Sequence, residues 1–545
     1  MMRRVITVLL GAAALGPMSW GVTGLPASPA EMFENPVLSG FYPDPSVCRV
    51  GDTYYLVNSS FEWFPGVPIH RSKDLVNWEQ IGHVLDRPSQ LMMREGMPAS
   101  RGIWAPTIRY HDGLFYLVTT AQNCGGNFYV TAKDPAGPWS EPVWLKDAPG
   151  IDPTLFWDDD GTCWYLGAGW IEGGQRWPNE NRIYLQQLDT AAGKLTGPRY
   201  TLTSGHAANA RWAEGPHLYK HESKYVLLVA EGGTGFHHAV TIFHADKLTG
   251  PYIPDHGNPV LTHRHLGLDA PITTTGHADL VETQNGDWWS VMLGVRPLKG
   301  INLLGRETFL TPVAWQGDTL VYNPGIGRVL ATDKRPALPW TPVPAMPARD
   351  EFTTDRLSYQ WNFLRTPTDT FWSLTCKPGS LVLNLRPQSV TQLTNPSLVA
   401  RRIQHFDFRA TTQVAFVPGS DAEVAGLVVM QNDGFHYRLL LGRTGADRFV
   451  RLIKREKGVD TEVARRAWTA DTAVLALDGH GLDYTFLVGA TEQFLKPIAP
   501  AQDAAVCSTT QAGGFIGPYV GMYASSEGQP STNTARFAWF DYSQK

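Results

Sequence analysis

The stretch GFYPDPSVCRV, from Gly40 to Val50, decides the fold because similar short phrases recur along the chain, each just before a strand-like segment with a turn and aromatic residues. The recurrences are IWAPT (103–107), GIDPT (150–154), AEGPH (213–217) and TGHADL (275–280). They are spaced by roughly 50 to 60 residues, the length of a four-stranded propeller blade with its loops. The repeat therefore predicts an all-β fold that begins with a five-bladed β-propeller.

Composition shifts divide the chain into four segments. Residues 1–30 combine a basic pair with a short apolar run, which predicts a secretory signal peptide and a secreted or periplasmic protein. The alternative is a membrane-anchor helix, but Gly16 and Pro17 shorten the apolar run below the length that a bilayer span needs. Residues 31–332 hold the predicted propeller, and the proline-dense residues 333–349 predict a stiff linker. Residues 350–545 alternate with period two, which predicts a β-sandwich.

Charge and cysteine usage exclude several classes of protein. The formal net charge is −5, and no basic stripe is present that would favour nucleic acid or an anionic membrane as a partner. The five cysteines follow no metal-binding spacing. The 19 tryptophans and 19 tyrosines suit stacking on sugar rings, although most of these side chains are expected in the core.

Three carboxylates stand within the repeated phrases, at Asp44, Asp152 and Glu214. If each phrase begins the innermost strand of a blade, these side chains meet at one end of the central channel. Glycosidic bond hydrolysis needs one protonated and one ionised carboxyl group, and an inverting enzyme leaves room for water between them. We assign Glu214 as proton donor, Asp44 as base and Asp152 as the neighbour that keeps Glu214 protonated. The competing interpretation is that these residues only cap turns.

Several long phrases also carry a family resemblance. Residues 35–78, GIWAPTIRYHDGLFYLVTT, GIDPTLFWDDDG, AEGPHLYK, TGHADLVET and LGRETFLTPVAW occur in the order seen in glycoside hydrolase family 43, the β-xylosidase and α-L-arabinofuranosidase group. The segment from DEFTTDRLSYQWNFLRTP to GGFIGPYVGMYA resembles the concanavalin-like sandwich fused to β-xylosidases of that family. The resemblance implies an inverting mechanism with the same three roles for Asp44, Asp152 and Glu214.

The resemblance also suggests residues around the reacting sugar. Arg296 would contact substrate hydroxyls or Asp152, and His277 would line the funnel floor, where some relatives hold calcium or water. No cofactor is expected to be required, and calcium near the funnel is the one metal suggested. The alternatives are a structural ion pair for Arg296 and a hydrogen-bonded structural role for His277.

Aromatic residues are predicted to form the pocket walls, with ordinary core packing as the alternative. They are Phe61, Trp63, Phe64 and Trp104. Glu62 is interpreted as a hydrogen-bonding or solvated residue rather than a catalytic one. In relatives of this architecture a loop of the sandwich closes one side of the funnel, and Phe515, or alternatively Tyr519, is the candidate for that contact.

The predicted function is release of terminal β-D-xylose from xylo- or arabinoxylo-oligosaccharides by an exo-acting glycosidase. The shortness of NCGGNFYVTAKDPAGPW (123–139) is nearer to the arabinofuranosidase-leaning relatives, so removal of α-L-arabinose is the alternative. A catalytically silent polysaccharide-binding protein and a retaining, fructosidase-like propeller are the other hypotheses.

Overall fold

The computed structural model describes residues 31–169 and 173–545, so the predicted signal peptide, residues 1–30, lies outside the described residues. The described residues are dominated by strands, which confirms the all-β prediction. Their helices are short: the α-helix Thr509–Ala512 and the 3₁₀ turns Arg264–Leu266, Glu492–Phe494 and Ala504–Cys507. No helix in this part of the chain is long and apolar enough to cross a bilayer.

The first half of the described chain forms five four-stranded antiparallel sheets, each built in chain order. Every repeated phrase leads into the first strand of a sheet. The strands are Ser46–Val50, Thr53–Val57, Gly66–Ser72 and Glu79–Leu85; Gly102–His111, Leu114–Gln122, Gly126–Ala132 and Val143–Trp144; Ile151–Trp157, Cys163–Gly169, Arg182–Asp189 and Lys194–Thr203; Glu214–His221, Lys224–Glu231, Ala239–Ala245 and Ile253–Pro254; and Thr273–Glu282, Trp288–Val295, Glu307–Gln316 and Thr319–Tyr322.

A buried polar network joins the first strands of all five sheets. Asp279 accepts hydrogen bonds from Ser46 Oγ at 2.6 Å and from Arg109 Nη1 at 2.8 Å. Arg109 Nη2 lies 2.8 Å from His217 Nδ1, which lies 3.3 Å from Thr154 Oγ1. Because a buried carboxylate is stable only when it is paired, this network fixes how the five first strands meet.

The ends of this region are tied together by the N-terminal segment. Strand Met32–Glu34 pairs with Thr332–Lys334, and Asn35 Nδ2 donates to the carbonyl of Leu310 in the fifth sheet at 2.8 Å. The proline-dense residues 335–348, all of them described, contain no strand or helix. They lead into strand Arg349–Asp350, which pairs with the C-terminal strand.

The second half of the chain contains two larger sheets that share one apolar cluster. Leu439 and Met522 of one sheet and Leu475 and Phe537 of the other are fully buried in it. The nine-stranded sheet contains Trp372–Ser373, Leu381–Asn384, Thr534–Gln544, Asp407–Ala415, Thr472–His480, Asp483–Gly489, Lys496–Pro497, Arg349–Asp350 and Gln502–Asp503. The six-stranded sheet contains Ser397–Arg402, Tyr519–Ser525, Val424–Asn432, Phe435–Thr444, Asp447–Glu456 and Val459–Ala467.

The two halves are joined by strand pairing as well as by side chains. Strand Trp63–Phe64 pairs with Phe363–Leu364, and the indole of Trp63 stacks on the ring of Tyr519 with a centroid distance of 3.5 Å. The second half therefore packs directly against the connection between strands Thr53–Val57 and Gly66–Ser72 of the first sheet.

Candidate active site

Each sheet has a left-handed residue at the same point of the repeat, in its first strand or, for the first sheet, just before it. These residues are Asp44 (φ 51°), Ala105 (φ 40°), Asp152 (φ 54°), Gly215 (φ 55°) and His277 (φ 50°). Strand pairing is interrupted at the last four of them, between Trp104 and Thr107, Ile151 and Thr154, Glu214 and His217, and Gly276 and Asp279. An interruption of this kind redirects a side chain out of the ladder. The strain of a non-glycine residue at positive φ is typical of functional positions.

This geometry corrects one detail of the repeat. Asp44 and Asp152 occupy equivalent positions, but the equivalent residue of the fourth sheet is Gly215, and Glu214 precedes it. Glu214 therefore corresponds to Trp104 of the second sheet. The three carboxylates meet in one place, but they reach it from two different positions of the repeat.

The three carboxylates line one cleft. Asp44, Asp152 and Glu214 share it with other residues from the five sheets and with one residue of the second half, Phe515. The remaining lining residues are Phe61, Trp104, Ala105, Ile151, Thr234, His277 and Arg306. The structure thus brings together seven of the ten residues predicted for the site.

Asp44 is held as a carboxylate in the cleft. Arg306 Nη1 donates to its Oδ1 at 2.6 Å, and Ser59 Oγ donates to its Oδ2 at 2.6 Å. Burial alone would raise the pKa of Asp44, but the Arg306 guanidinium, His277 and the Ser59 hydrogen bond together hold that pKa below its usual value. Asp44 is therefore an ionised group with a fixed orientation.

Glu214 has the opposite character. Burial raises its pKa well above the usual value, and the negative charges of Asp152 and Asp44 raise it further. Burial also raises the pKa of Asp152 to about 6, against the opposing effect of His277. Asp152 Oδ2 accepts a hydrogen bond from the backbone N–H of Gly215 at 3.1 Å, which fixes the backbone next to Glu214. The cleft thus contains both an ionised carboxylate, Asp44, and a carboxyl group that retains its proton, Glu214.

Three aromatic rings form one wall of the cleft. The ring centroids of Trp104 and Phe515 are 5.5 Å apart, and Phe61 lies 6.0 Å from Trp104 and 6.1 Å from Phe515. Ser100 links the first two, because its carbonyl accepts from the Trp104 indole at 3.1 Å and its Oγ accepts from the Phe515 N–H at 2.9 Å. The wall is therefore assembled from both halves of the chain.

Ser100 is itself held by Glu62. The Ser100 N–H donates to Glu62 Oε2 at 2.9 Å, and burial raises the pKa of Glu62 to about 7. This agrees with the interpretation of Glu62 as a hydrogen-bonding residue.

Comparison with known families identifies this arrangement. The profile described as glycosyl hydrolases family 43 matches residues 33–321. The chain belongs to glycosyl hydrolase family 43. A second profile, the beta xylosidase C-terminal concanavalin A-like domain, matches residues 349–543.

Relatives of this family 43 chain match most of its length. A xylosidase/arabinosidase of Butyrivibrio fibrisolvens is 42% identical over 93% of this chain and 98% of its own length. A non-reducing end α-L-arabinofuranosidase of Bacteroides ovatus is 40% identical over 94% of both chains. The crystal structure of a xylan β-1,4-xylosidase from Bacillus halodurans, 36% identical, superposes with a TM-score of 0.88 over 94% of this chain and 100% of that one. The chain is therefore a glycoside hydrolase.

The structure does not bring Arg296 to the cleft of this family 43 enzyme. Its guanidinium forms two hydrogen bonds of 2.7 Å with the carboxylate of Glu307, which is fully buried. The arginine in the cleft is Arg306, which Phe61 and Phe515 flank with their rings 5.4 and 5.6 Å from its guanidinium carbon. The prediction of Arg296 as a substrate or Asp152 contact is therefore corrected, and its structural alternative describes the observed ion pair.

Two predicted wall residues also lie elsewhere. Trp63 is fully buried and Phe64 is 5% exposed, and their strand pairing places them in the packing between the two halves. Tyr519, the alternative to Phe515, is buried beneath Trp63. Phe515 is thus the residue of the second half that reaches the cleft.

His277 lines the cleft, as the sequence predicted, with its ring against Gly215. A Cβ atom on Gly215 would lie 3.0 Å from His277 Cε1, so the glycine makes room for the imidazole. Within residues 31–169 and 173–545, no three or more His, Cys, Asp or Glu side chains are grouped so that they could hold a metal ion, and calcium near the funnel stays a prediction.

The sequence interpretation missed three residues that the site uses. Arg306 and Thr234 line the cleft, and Ser59 orients Asp44 while accepting the Ala105 N–H at 2.7 Å. Arg306 stands in LGRETFL, one of the phrases that carried the family resemblance, so that phrase held a usable signal. Ser59 likewise stands in the phrase 35–78, whereas Thr234 had no comparable marker.

Proposed function

We propose that this family 43 glycoside hydrolase is an inverting exo-acting glycosidase that releases terminal β-D-xylose from xylo- or arabinoxylo-oligosaccharides. The observation that carries the proposal is the pairing of an ionised Asp44 with a protonated Glu214 in one cleft. Relatives named as xylosidases support the choice of sugar.

In the proposed reaction Asp44 acts as general base and Glu214 as general acid. Asp44 accepts a proton from water while the water oxygen forms a bond to the anomeric carbon. The bond to the leaving oxygen breaks at the same time, and Glu214 transfers its proton to that oxygen. Asp152 raises the pKa of Glu214 and, through Gly215, positions it.

The anchoring of one loop of the second half supports the proposal of exo cleavage. Arg306 Nη2 donates to the carbonyl of Phe515 at 3.2 Å, and Ser100 binds the N–H of the same residue. The loop from the second half is therefore anchored on both sides of Phe515. We infer that it closes one side of the cleft and leaves room for a terminal sugar only.

We further infer that the five sheets are the blades of a β-propeller, 31–332, joined by the linker 333–349 to a concanavalin-like β-sandwich, 350–545. The polar network between the five first strands and the apolar cluster between the two larger sheets support this division. Residues 1–30 are proposed as the signal peptide of a secreted or periplasmic enzyme.

Removal of α-L-arabinofuranosyl groups is the second candidate function, because the 40% identical Bacteroides ovatus relative is named as an arabinofuranosidase. Paired assays with aryl β-D-xyloside and aryl α-L-arabinofuranoside test both. We expect release of the aryl group from the xyloside at the higher kcat/KM. A higher value on the arabinofuranoside would support the second function, and no release from either would leave the polysaccharide-binding alternative.

Replacing Asp152 with asparagine should lower kcat and move the basic limb of the pH profile of kcat/KM to lower pH by roughly one unit. The negative charge of Asp152 raises the pKa of Glu214, so its removal lets Glu214 lose its proton earlier as pH rises. An unchanged basic limb would contradict the role of Asp152. The variant Asp333→Asn, which changes a buried carboxylate outside the cleft, is the control.

A further inference from the structure

A second cavity, here called the rim cavity, lies beside the cleft. It has a volume of about 230 Å³, and its lining includes His206, Arg211, Trp212, Glu231, Gly232 and His237. Gly232 lines the rim cavity, and Thr234, two residues later, lines the cleft. The loop from Gly232 to Thr234 therefore contributes to the lining of both spaces.

Trp212 is held in an unusual conformation at this rim. Its side chain remains exposed, at 39%, although its backbone has a positive φ of 48°, which is unfavourable for a bulky residue. Its N–H donates to the carbonyl of Asn179 at 2.9 Å, and the Arg211 carbonyl accepts from the Gly232 N–H at 2.9 Å. Because the ring is exposed, its burial contributes little free energy to offset the backbone strain. The strain therefore indicates a functional position.

Gly233 allows the indole to lie over the loop. A Cβ atom at position 233 would stand 2.8 Å from Trp212 Cε3, too close for any other residue without displacement of the ring. Trp212 also precedes Glu214 by two residues, a distance of at most about 7 Å along the backbone. The backbone of Trp212 therefore lies close to that of Glu214, the proposed proton donor.

The rest of the rim cavity offers polar groups. Glu231 is 5% exposed and accepts hydrogen bonds from His206 N at 2.7 Å and His206 Nδ1 at 2.8 Å, so it fixes the orientation of that imidazole. Arg211 and His237 are exposed at the cavity. An aromatic face combined with hydrogen-bond donors is the chemistry that recognises a sugar ring and its hydroxyl groups.

We propose that the rim cavity is a sugar-binding subsite on the leaving-group side, where Trp212 stacks on a sugar unit of the same oligosaccharide whose terminal unit occupies the cleft. This proposal rests on the proposed function, because it needs Glu214 to face the leaving group. It makes Trp212 a residue that determines preference for oligosaccharides over small glycosides.

The test compares kcat/KM for xylotriose and xylotetraose with that for aryl β-D-xyloside. In Trp212→Ala the ratio of oligosaccharide to aryl-glycoside kcat/KM should fall about tenfold, mainly through KM, because the stacking surface is lost. Trp212→Phe, which keeps a flat ring, should recover most of that ratio. Trp340→Ala removes another exposed tryptophan, 43% exposed and far along the chain, and should leave the ratio at its wild-type value.

A ratio within twofold of wild type in Trp212→Ala, or an equal loss in Trp212→Phe and Trp212→Ala, would overturn the proposal. If the wild-type protein hydrolyses none of these substrates, the proposed function fails separately. Calorimetric titration with xylotetraose then decides the subsite: weaker binding by Trp212→Ala supports it, and equal binding by the variant and the wild type overturns it.

Discussion

Asp44→Asn is expected to lower kcat on aryl β-D-xyloside by roughly a thousandfold, because the amide cannot accept the proton of the attacking water. Arg306 and Ser59 now hold the carboxylate ionised and oriented, and asparagine keeps the size of the side chain. The measurement is steady-state kinetics with a thermal unfolding curve for each variant. Asp333→Asn again serves as the matched control, with kcat near that of the wild type.

A small anion provides a second test of the role of Asp44 as base. Azide needs no base to become a nucleophile, so adding it to Asp44→Ala, which has space at the site, should restore glycosidic cleavage and produce a glycosyl azide. Retention of more than a tenth of the wild-type kcat by Asp44→Asn would contradict the role of Asp44 as base.

Glu214→Gln is expected to separate substrates by their leaving groups. The loss in kcat/KM should be roughly a thousandfold or more for xylobiose, whose leaving oxygen needs a proton, and only about tenfold for a dinitrophenyl xyloside, whose leaving group does not. The basic limb of the pH profile should also disappear, because that limb reports the loss of the Glu214 proton. Equal losses on both substrates would show that Glu214 is not the proton donor.

The repeated phrases predicted the site because each marks a place where the backbone adopts a positive φ. Asp44 and Asp152 precede proline at the start of a first strand, and the structure holds both at positive φ. Glu214 also reaches the cleft, although it stands one residue before the equivalent position. The sequence marks this shift, because Gly215 separates Glu214 from the proline of its phrase, whereas Asp44 and Asp152 stand directly before theirs.

The sequence did not show which of Arg296 and Arg306 reaches the cleft. Both arginines flank strands of the fifth sheet, in GVRP and LGRET. Strand register pairs Gly294 with Glu307, which puts Arg296 beside that carboxylate and directs Arg306 to Asp44. Register depends on the packing of the whole sheet, so composition and spacing could not separate the two.

Contacts between the two halves of the chain were harder still to predict. The sequence suggested Phe515 only through a family resemblance, and it did not suggest Ser100, which binds both Phe515 and Trp104. Phe515 stands 415 positions after Ser100, and their contact follows from how the second half packs on the first. The same packing buries Trp63, which composition alone made a candidate wall residue.

The central claim is that a water molecule, activated by Asp44, attacks the anomeric carbon while Glu214 protonates the leaving oxygen. Proton NMR of the first product formed from aryl β-D-xyloside tests this most directly, because a single displacement inverts the anomeric centre. The account predicts that α-xylose appears first and that the β-anomer grows in only by mutarotation. Initial appearance of β-xylose would mean a covalent intermediate and would contradict the assignment of Asp44 as a base.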